Sequence, residues 1–200
     1  MSIVRVVSPR LSPIERREVL RYAGVLGASG RELSEELSEL EAKISSKLTP
    51  KGCFTELAVG IDGDIVQLGE FSVRSASLSA LLSGCKSAIV LAATVGIGAD
   101  REISRLGASS PARQLLLDAI CTERIEALCD SLCELIGAEL SAENKKLTRR
   151  FSAGYGDLPL AFQREIFSIL DCPRKIGLTL NESLLMTPTK SVTAIVGVLG

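Results

Sequence analysis

The chain has 200 residues, 46% of them hydrophobic and 24% charged, enough apolar material for a substantial core. Its 23 basic and 24 acidic residues leave a formal net charge of −1; with no Trp and 4% aromatics, neither the basic stripe nor the stacking platforms of a nucleic-acid binder is present. No histidine occurs, which excludes a Ser-His-Asp triad, a Cys-His pair and a His-ligated zinc site built from these residues, and leaves Asp, Glu, Lys, Cys or Tyr as general bases.

Val4–Val7 reads as a short edge strand. Ser12 and Glu15 have capping-box spacing with Pro13 between them, which predicts a helix from there to about Leu26, stopped by Gly27. Ser29 and Glu32 repeat the device. They lead into a second helix whose Leu33, Leu37, Leu40, Ile44 and Leu48 form one apolar stripe, ended by Pro50 and Gly52. The period then changes to two. Phe54, Leu57, Val59 and Ile61 run into an Asp62-Gly63 hairpin turn, and Ile65, Val66 and Leu68 return, with Phe71 and Val73 extending the second arm.

Ser77–Leu82 reads as a short helix closed by Gly84, and Ala88–Val95 as the strongest strand. This eight-residue stretch is the longest apolar run. It is far shorter than the roughly 18 residues a membrane span needs, so no membrane insertion is expected. The first residues alternate and carry early charge, unlike a secretory signal. Gly96 and Gly98 open a helix over Asp100–Leu106. Ser110 and Pro111 begin a long helix reaching about Leu140, followed by a polar loop or frayed helix over Ala142–Arg150. Asp157 is placed to cap a helix over Leu158–Leu170, and two strands, Ile176–Leu180 and Val192–Leu199, flank a connecting segment, Asn181–Lys190. Hairpin neighbours mixed with helices predict an α+β fold, a mainly antiparallel twisted sheet flanked by helices.

The six cysteines are Cys53, Cys85, Cys121, Cys129, Cys133 and Cys172, and none forms a C-x-x-C pair. Cys121, Cys129 and Cys133 share helical spacing with Ile125, Leu132 and Ile136, so core thiols and a cytoplasmic location are expected. Gly96-Ile97-Gly98 lacks the third glycine of a dinucleotide fingerprint, because Arg101 stands there, and reads as a strand-to-helix turn. Asp62 and Asp64 flank a glycine without the other ligands of a calcium loop. Ser75, Ser77, Ser79 and Thr94 have no partner base and suit caps and turns.

Arg149–Gly156 (RRFSAGYG) is different. It gathers two arginines, two glycines and one of the two tyrosines in eight residues. Glycine admits close backbone approach, arginine offers a fork that matches a carboxylate, and tyrosine supplies a ring and a hydroxyl. On residue types alone, a ligand-binding loop and a tight turn with solvated arginines both remain open.

From Arg150 onward the order of motifs narrows the choice. Arg150, three residues and then Gly154-Tyr155 are followed by a helix, by Thr179-x-x-Glu182-Ser183, by Met186-x-Pro188 and by Ser191-Val192. This series resembles the C-terminal part of the activation domain of cobalamin-dependent methionine synthase, especially its free-standing relatives, and LAATVGIGADREI and LLLDAICTERIEALCD upstream are similar to those relatives too. Ala153 stands where the family often has proline.

The resemblance implies one activation-domain-like unit over residues 1–200, with an N-terminal helical portion at about 10–50. It implies S-adenosylmethionine as ligand, with Arg150 on its carboxylate, Gly154 and neighbouring backbone along the adenosine, Tyr155 against the ligand near the corrin, and Ser152 and Ala153 contributing from the loop. Acidic residues would face the ligand's amino group, with Glu126 and Glu143 near the expected places. The activity implied is reactivation of methionine synthase by reductive methylation of cob(II)alamin, a task of positioning rather than of acid-base chemistry. Without histidine, and without the Asp-x-His-x-x-Gly motif, this chain is expected to meet cobalamin on a partner protein, with a flavodoxin or ferredoxin as electron donor. Two other roles fit the same resemblance: a non-enzymatic adaptor that docks or shields a corrinoid protein, and an activator of another corrinoid methyltransferase.

Overall fold

Residues 3–25, 27 and 30–200 are described in a computed structural model of the chain. In chain order the elements are β1 (Arg5–Val7), α1 (Arg16–Tyr22), α2 (Arg31–Ser45), β2 (Lys51–Asp62), β3 (Ile65–Leu68), β4 (Phe71–Arg74), α3 (Ala76–Leu82), β5 (Ser87–Thr94), α4 (Ile97–Gly107) and α5 (Pro111–Ser141). They continue with β6 (Lys146–Leu147), a 3-10 turn at Leu160–Phe162, α6 (Gln163–Leu170), α7 (Cys172–Ile176), β7 (Thr179–Leu180), β8 (Met186–Thr187) and β9 (Ser191–Leu199).

The apolar run at residues 87–94 becomes the central strand. Along its whole length β5 pairs antiparallel with β2 on one side and β9 on the other. Ala88, Val90 and Ala92 face a core that includes α3, α6 and α7, whereas Ile89 and Leu91 face Leu132, Ile136 and Leu140 of α5. A strand covered on both faces has no side for polar residues, which is why its sequence is continuously apolar rather than alternating. The sheet runs β4-β3-β2-β5-β9-β6 with β1 beside β2, and every pairing is antiparallel. This is the expected α+β class. It also disposes of the dinucleotide reading of Gly96-Ile97-Gly98, which requires a parallel sheet.

The 31-residue α5 is the second organising element. Its Leu132, Ile136 and Leu140 cover the sheet, while Leu116, Leu117, Ile120 and Leu128 pack with α1, α2 and α4 in a helical layer. The predicted stripe of α2 supplies Leu37, Leu40 and Ile44 to that layer, with Leu33 and Leu48 at its margin.

The sequence and the structure differ in several places, each with a physical cause. The first helix starts at Arg16, and the Ser12/Glu15 capping box is not made. The Ser12 and Pro13 carbonyls instead accept hydrogen bonds from the Arg124 guanidinium, and Glu15 N–H donates to Glu123, so α5 holds this segment extended. The expectations for Leu26 and Ser29 lie outside the described residues. Phe71 and Val73 do not extend β3: the chain turns at Gly69, whose N–H bonds the Ala58 carbonyl, and β4 folds back on β3. The segment after α5 contains β6, which adds an edge to β9. Asp157 does not cap the following helix, which begins as the 3-10 turn; its carboxylate reaches across to the start of α3. The strand expected over Ile176–Leu180 is shortened to β7, because Ile176 closes α7, and its partner β8 lies inside the segment expected to be a connection.

No helix of the described residues is long and apolar enough to cross a membrane. Cys53, Cys85, Cys121, Cys129 and Cys172 are buried and Cys133 is half-buried. Burial pushes the thiols of Cys121 and Cys129 up to about 12 and raises that of Cys133. Cys172 is held well above the usual thiol range by its hydrogen bond with Cys53 and by burial.

Candidate functional site

The Arg149–Gly156 loop is anchored at its start by the sheet. Phe151 exchanges two backbone hydrogen bonds with Ile195 of β9, at 2.9 and 2.8 Å, and its ring enters the core. Thr148 flanks this bridge: its N–H donates to the Gly197 carbonyl, and its hydroxyl accepts from the Gly197 N–H. Arg150 therefore leaves the edge of the sheet at a fixed place, directed at α5.

Beyond Phe151 the chain makes a compact turn. Tyr155 N–H donates to the Ser152 carbonyl, Leu158 N–H to the Tyr155 carbonyl and Gly154 N–H to the Leu158 carbonyl, at 3.1, 3.1 and 2.9 Å. Gly154 and Gly156 take φ of +86° and +57°, which side chains rarely adopt, and a Cβ at Gly154 would press on Leu160 at 3.0 Å. Tyr155, held between them, is 66% exposed, with its ring edge-to-face against Phe151 at 5.6 Å.

Arg150 meets two carboxylates on α5. Its Nη2 lies 2.7 Å from Glu126 Oε2 and 3.2 Å from Asp130 Oδ1. Its Nη1 is buried and has no hydrogen-bond partner among the described residues. A buried guanidinium nitrogen without an acceptor is costly and uncommon. One more acceptor at Nη1 would complete the hydrogen bonding of the group. Beside it is a cavity of about 390 Å³ lined by Glu126, Arg149, Arg150, Phe151, Ser152, Tyr155 and Val192, within the usual size of a small-molecule site.

Of the residues expected in a site, the structure brings Arg150, Ser152 and Tyr155 together around this cavity. Ala153 is buried behind the loop and Gly154 shapes its turn; neither lines the cavity. Glu126 lines the cavity, whereas Glu143 lies past the end of α5 and pairs with Lys145. Thr179, Met186, Pro188 and Ser191 build the β7–β8 hairpin and the entry to β9: Thr179 Oγ1 donates to the Thr187 carbonyl and Ser191 Oγ to the Pro188 carbonyl. Lys190 donates to Asp118 and Thr122 of α5, and so fixes the start of the strand that delivers Val192 to the cavity wall.

Arg149 belongs to the candidate loop and Val192 to the motif series, without a role assigned to either; Asp130 is named by neither. For Asp130 a signal exists: Glu123, Glu126, Asp130 and Glu134 recur at three- and four-residue steps, an acidic stripe along one face of the helix. That face also lines a second cleft of about 380 Å³ with Glu15 and Glu18, and Glu126 is the wall common to both.

No protein-family model matches the chain, and no curated protein matches it in sequence. Among solved structures it is similar to a crystal structure of the MetH reactivation domain bound to AdoHcy, with a TM-score of 0.68 over 97% of this chain and 78% of that one, at 17% sequence identity. The helix-covered antiparallel sheet described above is common to both, and the chain has the fold of the MetH reactivation domain.

Proposed function

We propose that the chain binds S-adenosylmethionine in the cavity beside Arg150 and supports reductive methylation of cob(II)alamin carried by a separate methionine synthase protein. The observation that carries this reading is Arg150 on the wall of a cavity of about 390 Å³, with its Nη2 held by Glu126 and its Nη1 lacking a hydrogen-bond partner among the described residues. The solved domain of the same fold is described as bound to AdoHcy, the demethylated form of that ligand.

The residues suit the ligand's charges. Its carboxylate fits the free edge of the Arg150 guanidinium. Its positive charge fits the Glu126 carboxylate on the cavity wall, with Asp130 behind it on Arg150. Ser152 and Tyr155 supply hydroxyls, Phe151 and Val192 apolar wall, and Ala153 and Gly154 act through the backbone shape of the loop. S-adenosylmethionine supplies an electrophilic methyl group; the chain orients it, and no proton transfer is asked of the protein.

These 200 residues contain no histidine to place beneath a corrin, so the cobalamin and its lower ligand are assigned to another polypeptide. The reducing electron is assigned to a flavodoxin or ferredoxin, and the setting to the cytoplasm. The test is a reactivation assay. A cob(II)alamin-loaded methionine synthase lacking its own activation domain is mixed with a reductant, S-adenosylmethionine and this chain. Appearance of the methylcobalamin spectrum only when the chain is present supports the proposal; an unchanged cob(II)alamin spectrum contradicts it. Docking of the cobalamin protein without S-adenosylmethionine binding would point instead to an adaptor.

A further inference from the structure

We propose that Asp157 is the positioning residue of the ligand loop, a carboxylate latch that ties the loop to the start of α3 and so holds Tyr155 in register with the cavity and with Arg150, which the sheet already fixes. This inference rests on the assignment of that cavity as the ligand site.

Four hydrogen bonds make the latch. Ser75 Oγ donates to Asp157 Oδ1 at 2.6 Å, Ala76 N–H to Oδ2 at 2.7 Å, and Ser77 N–H to both oxygens at 3.2 and 3.4 Å. These donors come from a segment about 80 residues earlier in the chain. The fit is close: a Cβ at Gly156 would stand 3.2 Å from Ser77 Oγ and 3.6 Å from the Phe151 ring, so the loop backbone lies directly on α3. Ser75 is 1% exposed, and its hydroxyl also accepts from Leu78 N–H, which fixes the donor before the loop arrives.

The loop needs a second anchor for a mechanical reason. Its first end is secured by the Phe151–Ile195 bridge. Tyr155 then stands between two glycines, the residues with most backbone freedom, and is largely exposed. Contacts of its own are few: the Phe151 ring and backbone bonds within the turn. Without Asp157 the span after Phe151 would keep its own turn hydrogen bonds and the burial of Ala153 and Leu158, but would lose the hydrogen bonds that tie it to the start of α3. The carboxylate removes that freedom at the residue after Gly156 and sets the position of the side chains on the cavity wall.

The experiment uses the intact chain. Asp157→Ala removes the latch, Asp157→Asn keeps the shape and one acceptor, and Ser79→Ala serves as a control that removes a different α3 bond, to the Gly63 carbonyl. Binding of S-adenosylhomocysteine is measured by calorimetry. The ring resonances of Tyr155, shifted by Phe151, are followed by NMR, with Tyr22→Phe removing the other tyrosine. The latch predicts that Asp157→Ala weakens binding about tenfold or more and moves the Tyr155 resonances toward random-coil values, that Asp157→Asn is intermediate, and that Ser79→Ala changes neither. Wild-type affinity together with unchanged Tyr155 resonances in Asp157→Ala overturns it. If Asp157→Ala fails to fold, the same two outcomes are read from Asp157→Asn. If the wild type does not bind S-adenosylhomocysteine, the assignment of the cavity fails, and the Tyr155 resonances alone decide for or against the latch.

Discussion

Arg150 and Glu126, 24 residues apart in sequence, meet at 2.7 Å and join the glycine-flanked loop to the long helix α5. The contact occupies Nη2 and leaves Nη1 buried without a hydrogen-bond partner among the described residues. A ligand carboxylate would complete the set. Arg150→Ala is expected to weaken S-adenosylmethionine binding by about 2 kcal/mol or more, the loss of a charge-assisted pair. Glu126→Gln, which keeps the shape but removes a negative charge, is expected to lose less. Calorimetric titration of the two variants gives the comparison, and equal affinities in wild type and Arg150→Ala would remove Arg150 from the site.

Asp157 makes stability depend on acid. Its hydrogen bond from Ser75, with those from Ser77 and Ala76, holds its carboxyl at about 2, below the usual carboxylate range. The folded value is depressed, so the stabilisation is fully present above the unfolded value near 4 and is lost as pH falls through about 2. Thermal melting of wild type and Asp157→Asn should show a gap in Tm at neutral pH that narrows between about pH 4 and pH 2. A gap independent of pH would mean the carboxylate is not ionised in the folded latch.

The adjacent Glu123 and Arg124 form a buried ion pair, with side chains 7% and 6% exposed. Arg124 also donates to the Ser12 and Pro13 carbonyls, so the pair pins the N-terminal segment to α5. Glu123→Ala strands the guanidinium, and a loss of about 3–5 kcal/mol in unfolding free energy is expected. Urea denaturation measures it. A change under about 1 kcal/mol would show the charge to be solvated.

The thiols offer a check on burial. Cys85 is the least covered of the five buried thiols, at 9% exposed, and only Cys133 is half-buried. A thiol reagent at neutral pH should modify at most that residue in the native protein and all six after unfolding. Fast reaction of Cys121 or Cys129 in the native state would contradict the packing of α5.

Much of the fold is written locally. The stripe of α2, the Asp62-Gly63 turn, the apolar β5 and the Pro111 start of α5 are all legible because each depends on neighbours in sequence. The errors share one cause. The Ser12 box, the Asp157 cap and the Phe71 extension are local signals overridden by partners far along the chain: Arg124, the α3 backbone and the antiparallel edge of β3. The site divides in the same way. The loop of Arg150, Ser152 and Tyr155 stands out by composition, but its acidic counterpart on α5 does not, because nothing in the spacing of Glu126 and Asp130 says which loop they face. Asp157 looked like a helix cap, and it is one, for a helix that precedes it by about 80 residues.

Whether the cavity beside Arg150 takes S-adenosylmethionine is read from equilibrium titration of the purified wild-type chain with that compound. Saturable binding of one molecule per chain is expected, lost or strongly weakened in Arg150→Ala while the variant keeps the wild-type circular dichroism spectrum. A folded wild-type chain that shows no binding would contradict the assignment of the cavity.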